Sequence, residues 1–371
     1  MRILYGGNVA NIGYTMAKEM RKNGLQAYLL MEKNPIIEQD PIKQDPDLKN
    51  NYPPWIYFYD KAQPKWKTNI IKKMRDKNYD LIQAHYDLAI WAYLSRRSFI
   101  AQIVGDDLRE LAFTNSIRGM LLRRAYKKAK VVLFSNPTEP PLLSKLKLEN
   151  SIFLPLLVEL DFFKPQEVSQ HEFDDKFVIF HPTNLWWKKG NQILIKGFAE
   201  FVKKHSNSIL IIVDRGPDSS KIHQLVDSLG IESKVCFVKG PLNSTELRRY
   251  YNLADVVADQ FVIPEFGLIG RETLCSEKPL LTFYDENGYK NLYGESPPAM
   301  NASTSLDIAK QLEFLRDDKI RIEIGKKGRD WMIKHHSPDI ISKKIKSIYE
   351  SVLNAENIDQ IRVKLSRISI S

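Results

Sequence analysis

Two adjacent lysines stand directly before a glycine in the segment His181–Gly190, HPTNLWWKKG, between an apolar run and an amphipathic run. A lysine at this place puts a flexible cation beside the N-terminus of a helix that we predict to begin at Gly190. There it can neutralise a diphosphate together with the helix dipole. We therefore select Lys189 as a phosphate ligand; the alternative is that Lys188 and Lys189 form a solvated pair at an ordinary helix start.

A glutamate lies inside a second predicted helix, in the stretch PEFGLIGRETLCSEKPL of segment Asp259–Leu280. The helix starts near Gly267, which puts Glu272 one to two turns in and leaves the N–H groups of Gly267 and Leu268 as anion donors. A carboxylate here could accept both hydroxyls of a ribose, which neutral side chains hold less strongly. The alternative is that Glu272 pairs with a neighbouring lysine or arginine.

Glycines also follow the first predicted strand, as Gly6-Gly7-Asn8 and then Gly13. The spacing does not match GxGxxG, and no acidic residue stands at the expected place on the second strand, so a nicotinamide-dinucleotide site is disfavoured. Gly7 either lets the backbone approach a phosphate or makes a tight turn, and the sequence leaves both alternatives open.

The elements that must position these residues are α/β. Apolar strand-like runs alternate with amphipathic runs along the chain, the pattern of parallel βαβ units. A polar linker, Gln166 to Asp175, separates two such series, and residues 33–69 form a long loop rich in prolines and aromatics. We predict two doubly wound Rossmann-like domains facing a central cleft. The predicted strands begin at Arg2, Gln26, Asp80, Phe99, Val131 and Ile152 in the first half, and at Phe177, Ile209, Val235, Asp255 and Leu280 in the second.

Length and composition fit two globular domains, with 371 residues and 43% hydrophobic residues. We expect a cytoplasmic protein, because the N-terminus is too polar for a signal peptide and no run is apolar enough to span a membrane. Two separate cysteines, Cys236 and Cys275, and scattered histidines give no metal-ligand spacing, so no metal site is expected.

The positive charge is concentrated in the first half of the chain. Residues 1–165 hold 26 Lys and Arg against 17 Asp and Glu, whereas residues 166–371 hold 29 against 28. Six cations fall in the segment 117–130, interleaved with apolar residues, which suits a helix lying on an anionic membrane surface. The alternative is a solvated helix face. No nucleic-acid-binding signature accompanies the charge, so nucleic acid is not the expected partner.

Residues from about Phe177 to Leu281 resemble retaining glycosyltransferases of family 4, which have the GT-B fold. The resemblance rests on the order of three features: the Lys-Gly helix, then the stretch LIIVDRGPDSSKIHQLVDSLGIESKVCFVKGPLNSTELRRYYNLADVVADQF, then EFGLIGRETLCSEKPLL. Two stretches of the first half resemble the family more loosely, DLIQAHYDLAIWAYL and IVGDDLREL. It implies an acceptor-binding domain at 1–165, a nucleotide-sugar-binding domain at 166–335, and a C-terminal helix in 336–371 that crosses back to the first domain.

The resemblance also implies residue roles. Glu272 matches the glutamate that holds the nucleotide ribose, and Lys189 matches the lysine on the donor diphosphate. The family's first glutamate is replaced by Pro264, so Glu265 takes its catalytic place by proximity, and Asn184 stands where the family has an arginine. Arg215 or Lys188 would compensate for that arginine, and His85 would face the cleft and orient the sugar.

The function that follows is transfer of a sugar, with retention and without a metal, from a nucleotide-sugar donor to a hydroxyl acceptor. The donor, a UDP- or GDP-sugar, is a substrate, so no cofactor is expected. The acceptor would be a glycan, a lipid-linked sugar or another cell-surface glycoconjugate precursor, and the protein would be cytosolic or peripheral on the inner face of the cell membrane. The alternatives are a GT-B protein that binds nucleotide sugars without catalysis, and an α/β protein that binds anionic surfaces or RNA.

Overall fold

The computed structural model describes residues 1–167, 173 and 175–368, and part of the predicted linker Gln166–Asp175 lies outside them. The chain forms two compact units. The first contains Met1–Val158 together with the residues from His336 onward, and the second contains Glu159–His335.

The first unit is built on seven parallel strands in the order β3-β2-β1-β4-β5-β6-β7, counted over the described residues. This is the order of a doubly wound sheet, in which β2 and β3 lie on one side of β1 and β4 to β7 lie on the other. The strands are β1 (Arg2–Gly6), β2 (Gln26–Glu32), β3 (Ile56–Tyr59), β4 (Leu81–His85), β5 (Phe99–Gln102), β6 (Val131–Phe134) and β7 (Ser151–Phe153).

The strands of this sheet are buried on both faces, as in β4, where every residue is buried, and helices cover those faces. They are α1 (Ile12–Lys22), α2 (Pro41–Gln44), α3 (Trp66–Met74), α4 (Leu88–Ser95), α5 (Asp106–Arg109), α6 (Ile117–Lys128) and α7 (Pro140–Leu146).

The second unit repeats the plan with six parallel strands among the described residues, in the order β10-β9-β8-β11-β12-β13. The strands are β8 (Phe177–His181), β9 (Ser208–Asp214), β10 (Val235–Lys239), β11 (Val256–Ala258), β12 (Leu280–Thr282) and β13 (Met300–Asn301). The helices are α8 (Asn191–Val202), α9 (Ser219–Ser228), α10 (Ser244–Leu253), α11 (Leu268–Cys275), α12 (Glu286–Tyr293), α13 (Ser305–Phe314) and α14 (Asp318–His336). Apolar residues of β8, β9, α8 and α13 form one buried core.

The last two helices, α15 (Pro338–Leu353) and α16 (Ile358–Ser366), belong to the first unit. Helix α15 presents a stripe of buried residues to that unit, including Ile341, Ile345, Ile348 and Tyr349. Its core contact is polar as well as apolar, because the Tyr349 hydroxyl lies 2.7 Å from the hydroxyl of Tyr5 in β1.

The prediction of two Rossmann-like domains is confirmed. The prediction for residues 33–69 was wrong in one respect, because the stretch holds β3, three short helical turns and the start of α3 rather than loop alone. Flanking prolines concealed the strand Ile56–Tyr59, whose aromatic residues favour the pleated conformation. In the part of the chain that the structure describes, no helix is long and apolar enough to cross a membrane.

Candidate functional site

The carboxyl ends of the strands in the second unit carry a cluster of polar side chains. Strands β8, β9, β11 and β12 are parallel and end at His181, Asp214, Ala258 and Thr282, so the loops that follow them lie on one edge of the sheet. In a doubly wound sheet this edge is where ligands bind. The predicted residues of the second half, from Asn184 to Glu272, are on these loops and on the helices that leave them.

Glu272 lies on α11, and Tyr251 of α10 donates its hydroxyl proton to Glu272 Oε2 over 2.8 Å. Burial raises the pKa of Glu272 to about 8, against the lowering effect of the Tyr251 hydrogen bond, and the charges of Glu159 and Asp259 raise it further. The carboxyl is therefore poised between its two protonation states near neutral pH. Among the described residues, the hydrogen bond that this carboxyl makes is the one from Tyr251, through Oε2.

Lys189 ends a 3-10 turn, Trp187–Lys189, that leads into α8. Its Nζ donates to Oε1 of Gln260 over 2.6 Å, and Gln260 Nε2 donates to the carbonyl of Glu265 over 2.6 Å. The Phe261 N–H donates to the carbonyl of Lys189 over 2.8 Å, so the lysine turn and the loop after β11 are joined twice. Gln260 is buried, and its hydrogen bond holds the Lys189 ammonium at this edge of the sheet.

Gly190 is required where the two loops meet. Its φ is +75°, and a Cβ at this position would lie 3.0 Å from Phe261 Cβ and 3.1 Å from Val262 Cγ2. A side chain would therefore be strained by the backbone conformation and crowded by the neighbouring loop. The glycine of the Lys-Gly pair holds the lysine turn against the loop after β11.

The side chain of Asn191 holds together the turn between β8 and α8, although Asn191 was not among the predicted site residues. Its Nδ2 lies 2.9 Å from His181 Nε2 and donates to the Asn184 carbonyl over 3.3 Å, while its Oδ1 accepts from the Trp186 N–H over 2.9 Å. His181 Nδ1 lies 2.8 Å from the carbonyl of Ala258. Asn184 thus joins this network through its backbone carbonyl.

Arg215 follows β9, and its carbonyl accepts from the Leu185 N–H over 2.8 Å. Burial lowers the pKa of Arg215, whereas the charge of Tyr251 raises it. The guanidinium therefore interacts electrostatically with Tyr251, which is hydrogen-bonded to Glu272. A cation thus interacts with Tyr251, the partner of Glu272, although Asn184 stands where the family resemblance expects an arginine.

Asp259 also lies on this edge, and the sequence analysis missed it. It is buried, accepts from Thr183 Oγ1 over 2.8 Å through Oδ1, and accepts from the Gly267 N–H over 3.1 Å through Oδ2. A carboxylate therefore takes up the Gly267 N–H that we expected to face an anion. Leu268, the next residue, begins α11 and is half-buried.

Glu265, predicted to be catalytic, is only 4% exposed. Its charge contributes to raising the pKa of the buried Tyr289, so the carboxylate lies near the aromatic interior of the unit. Buried Arg271 fixes the same loop by donating to the carbonyls of Phe266 over 2.9 Å and Gly267 over 3.2 Å. The structure thus brings Glu265 to the site loop but turns its side chain inward.

His85 and Gly7 lie in the first unit, and the prediction that His85 faces a substrate differs from the structure. His85 is 0% exposed, with Nδ1 3.1 Å from the Gly7 carbonyl and Nε2 3.3 Å from Gln83 Nε2. Burial lowers the pKa of His85 to about 4, although the hydrogen bond to Gly7 opposes the effect. Helices cover the end of β4, which the local sequence did not reveal, and His85 is a buried internal contact in this conformation.

The segment that carries the site loops matches a family model. Residues 163–297 match the model for glycosyl transferases group 1. The chain is 23% identical over 184 residues to the alpha-monoglucosyldiacylglycerol synthase of Acholeplasma laidlawii, covering 50% of this chain and 46% of that one. It is 22% identical over 343 residues to the N-acetyl-alpha-D-glucosaminyl L-malate synthase of Bacillus anthracis, covering 84% and 88%. The chain thus spans about half the length of the first relative and most of the second.

Solved structures share the fold of both units. Anabaena HepE in complex with UDP and glucose superposes with a TM-score of 0.76 at 17% identity, covering 95% of this chain and 100% of that one. Sucrose-phosphate synthase from Thermosynechococcus elongatus superposes with a TM-score of 0.74 at 16% identity, covering 96% and 100%. Residues 163–297 therefore match the glycosyl transferases group 1 model, and the chain has the GT-B fold of these neighbours.

Proposed function

We propose that this chain is a glycosyltransferase that moves a sugar from a nucleoside diphosphate sugar to a hydroxyl acceptor with retention. The observation that carries the proposal is the state of Glu272. Within the described chain its carboxyl makes one hydrogen bond, in which Tyr251 donates to Oε2, so Oε1 can accept from a ligand. An ionised carboxylate held in this way can accept the two hydroxyls of a ribose, and charge-assisted hydrogen bonds of that kind are stronger than neutral ones.

The same edge supplies positive charge for the leaving group. As the bond between sugar and diphosphate breaks, negative charge grows on the diphosphate and positive character grows on the sugar ring. Lys189, aimed by Gln260 at 2.6 Å, and Arg215 would stabilise the diphosphate, so we propose that transfer needs no metal ion. Because Glu265 is turned inward, we assign the acceptor's proton to the departing phosphate rather than to this carboxylate.

We propose a UDP-sugar as the first donor to test, with a GDP-sugar second. Anabaena HepE, one of the structural neighbours, has been solved with UDP and with UDP-glucose. The acceptor is proposed to be the hydroxyl of a glycan or of a lipid-linked sugar, and the relative from Acholeplasma is named for a glycolipid product. The N-terminal unit is proposed to hold this acceptor.

We also propose that α6 rests on an anionic membrane surface. Its N-terminal end exposes Ile117 at 74% and Met120 at 37%. Its C-terminal end exposes Arg124, Lys127 and Lys128. Cations beside apolar residues suit a helix lying at a lipid interface, where each cation contributes about 1 kcal/mol. Arg118 and Arg123 contribute less to such a surface, because the first pairs with Asp87 and the second donates to backbone carbonyls.

Thermal-shift titration with UDP-, GDP- and ADP-sugars tests the donor site, in the wild type and in Glu272→Ala and Lys189→Ala. Donor at about 100 Kd should stabilise the fold by about 2.7 kcal/mol, and both substitutions should reduce the shift. Release of free sugar and nucleotide, measured with the same donor, tests catalysis. Binding without hydrolysis or transfer would indicate a nucleotide-sugar-binding protein instead, and the absence of any shift would overturn the donor site.

Flotation with liposomes tests the membrane proposal. Vesicles that contain anionic phospholipid should carry the wild type at low salt, and vesicles of neutral phospholipid should not. Replacing Arg124, Lys127 and Lys128 with glutamine should abolish flotation, whereas the same change at Lys203, Lys204 and Lys234 of the second unit should have no effect. Equal flotation of both triple variants would contradict the assignment of α6.

A further inference from the structure

Four buried polar side chains of the first unit form one continuous chain of contacts that ends at the Gly7 carbonyl. The Tyr5 and Tyr349 hydroxyls are 2.7 Å apart, and Tyr349 donates to Gln83 Oε1 over 2.5 Å. Gln83 Nε2 lies 3.3 Å from His85 Nε2, and His85 Nδ1 lies 3.1 Å from the Gly7 oxygen. All four side chains are 0% exposed, so no bulk water takes part in these contacts.

The position of every proton in this chain follows from its last member. The Gly7 carbonyl can only accept, so His85 Nδ1 must carry the proton. His85 is neutral in its buried surroundings, which leaves Nε2 without a proton and in need of a donor. That donor is the amide nitrogen of Gln83, so Gln83 Oε1 faces Tyr349, and Tyr349 must donate to it. The Tyr349 oxygen then accepts from Tyr5.

The Gly7 turn is held tightly at the end of this chain. Gly7 has φ +96°, and its N–H donates to the Leu30 carbonyl over 2.8 Å. A Cβ at Gly13 would lie 2.1 Å from the Gly7 oxygen and 3.1 Å from His85 Nδ1, so α1 begins directly against this pair. The carbonyl is enclosed by the imidazole and by α1, and it cannot turn without giving up its hydrogen bond.

We propose that Tyr349 and Gln83 are positioning residues that act through His85 to fix the Gly7 turn, and so make that turn depend on the docking of the C-terminal helix α15. The role of the turn in meeting a substrate rests on the proposed function. His85 thereby has a positioning role as well, in place of the contact with the sugar that the sequence led us to expect.

Two tyrosine variants separate this relay from simple packing. Tyr349→Phe removes the donor to Gln83 Oε1. The remaining contact of Gln83 Nε2 with Met16 Sδ, at 3.6 Å, is too weak to hold the amide in one orientation, so the proton of His85 is no longer confined to Nδ1. Tyr5→Phe removes an equally buried hydroxyl from the same cluster, yet Tyr349 continues to donate to Gln83. Long-range 1H–15N NMR of the histidine rings reports which nitrogen carries the proton, with His85→Asn used to assign the signals.

The wild type and Tyr5→Phe should show His85 as a neutral ring protonated at Nδ1, and Tyr349→Phe should show a mixture of the two tautomers. In kinetics with the donor, Tyr349→Phe should lower kcat/KM by about two- to tenfold, the range of one neutral hydrogen bond, and Tyr5→Phe should stay near the wild type. If Tyr349→Phe does not fold, Gln83→Met removes the donor to Nε2 without changing α15. Nδ1 should then keep its proton on the Gly7 carbonyl, while the Nε2 resonance of His85 should move to that of a nitrogen that accepts no hydrogen bond.

A wild-type His85 signal in folded Tyr349→Phe or Gln83→Met would overturn the relay, and so would an equal change in Tyr5→Phe. The NMR comparison needs no substrate. If the wild type neither binds nor turns over any nucleotide sugar while the tautomer changes as expected, the proposed function fails and the positioning of the Gly7 turn stands.

Discussion

The Tyr251 hydroxyl donates to Glu272 Oε2 over 2.8 Å and links α10 to α11, two helices that follow different strands of the second sheet. The tyrosine is fully buried, so its contact is not exchanged with water. It fixes one carboxyl oxygen of Glu272 while burial and the charges of Glu159 and Asp259 favour the protonated carboxyl. The proposed donor site thus contains an acid whose charge depends on pH near neutrality.

Replacing Glu272 with glutamine will flatten the pH dependence of stability. The pKa of Glu272 rises from 4.5 to about 8 on folding, so between these values the folded protein binds more protons than the unfolded chain. Stability must then fall as the pH rises through this window. Glutamine resembles the protonated acid, so at pH 8 the variant should be more stable than the wild type by at least about 1.4 kcal/mol, the worth of one pKa unit.

Urea unfolding at several pH values measures this difference. Glu200→Gln, an exposed glutamate on α8, is the matched control and should keep the wild-type profile. Parallel curves for Glu272→Gln and the wild type from pH 5 to pH 8 would mean that Glu272 ionises normally in the folded protein.

UDP affinity should increase with pH up to about 8 in the wild type, because Glu272 must ionise before it accepts two ribose hydroxyls. Tyr251→Phe removes the hydrogen bond that lowers the pKa of Glu272, so this increase should move to higher pH. At neutral pH the affinity should be about two- to tenfold weaker. Calorimetric titration with UDP measures both effects. Tyr284→Phe, which removes a hydroxyl that donates to the Ala299 carbonyl, should leave the pH profile unchanged.

Lys189 and Gln260 should act on the donor as a coupled pair. Lys189→Ala removes the cation and should weaken UDP binding by about tenfold or more, whereas Gln260→Leu leaves a mobile ammonium and should cost less. Because Gln260 Oε1 holds Lys189 Nζ at 2.6 Å, the double variant should lose less than the sum of the two single losses. Lys188→Ala removes the same charge from the neighbouring position and should have a smaller effect. Additive losses in this cycle would show that Gln260 does not aim the ammonium.

The sequence predicted the alternation of strands and helices well, because a parallel strand buried on both faces is an apolar run. The strands predicted to begin at Val131 and Phe177 begin at those residues in the structure. The two-residue strand Met300–Asn301 was missed, since it owes its pairing with β12 to its place in the sheet and not to any apolar pattern.

The site residues that could be predicted are those with a local signal. Lys189 precedes a glycine and a helix, and Glu272 lies inside a helix behind another glycine. Asp259, Asn191 and Tyr251 carry no such signal, because their partners lie far away in the chain. One signal was available in part: Asp259 directly follows a predicted strand, and polar residues at that place meet at one edge of a parallel sheet.

Asp45 anchors the stretch 33–69 to helix α1 through Tyr14 and Lys18. It is 2% exposed and accepts from Tyr14 Oη over 2.5 Å and from Lys18 Nζ over 2.6 Å. Burial raises its pKa, but the hydrogen bonds from Lys18 and Tyr14 and the charge of Lys18 outweigh burial, so the pKa lies below its ordinary value. The folded state therefore binds fewer protons here than the unfolded chain, and this part of the stability is lost as the pH falls through the acid range.

Asp45→Asn should destabilise the protein by about 2–3 kcal/mol at neutral pH, because two hydrogen bonds to a buried charge are weakened. The difference from the wild type should shrink on acidification, and limited proteolysis should cut the stretch 33–69 faster. Asp60→Asn, in the same stretch, loses only a half-exposed contact to Lys33 at 3.9 Å and should change stability by less than about 0.5 kcal/mol. Equal losses in the two variants would mean that the Asp45 contacts do not hold this segment in place.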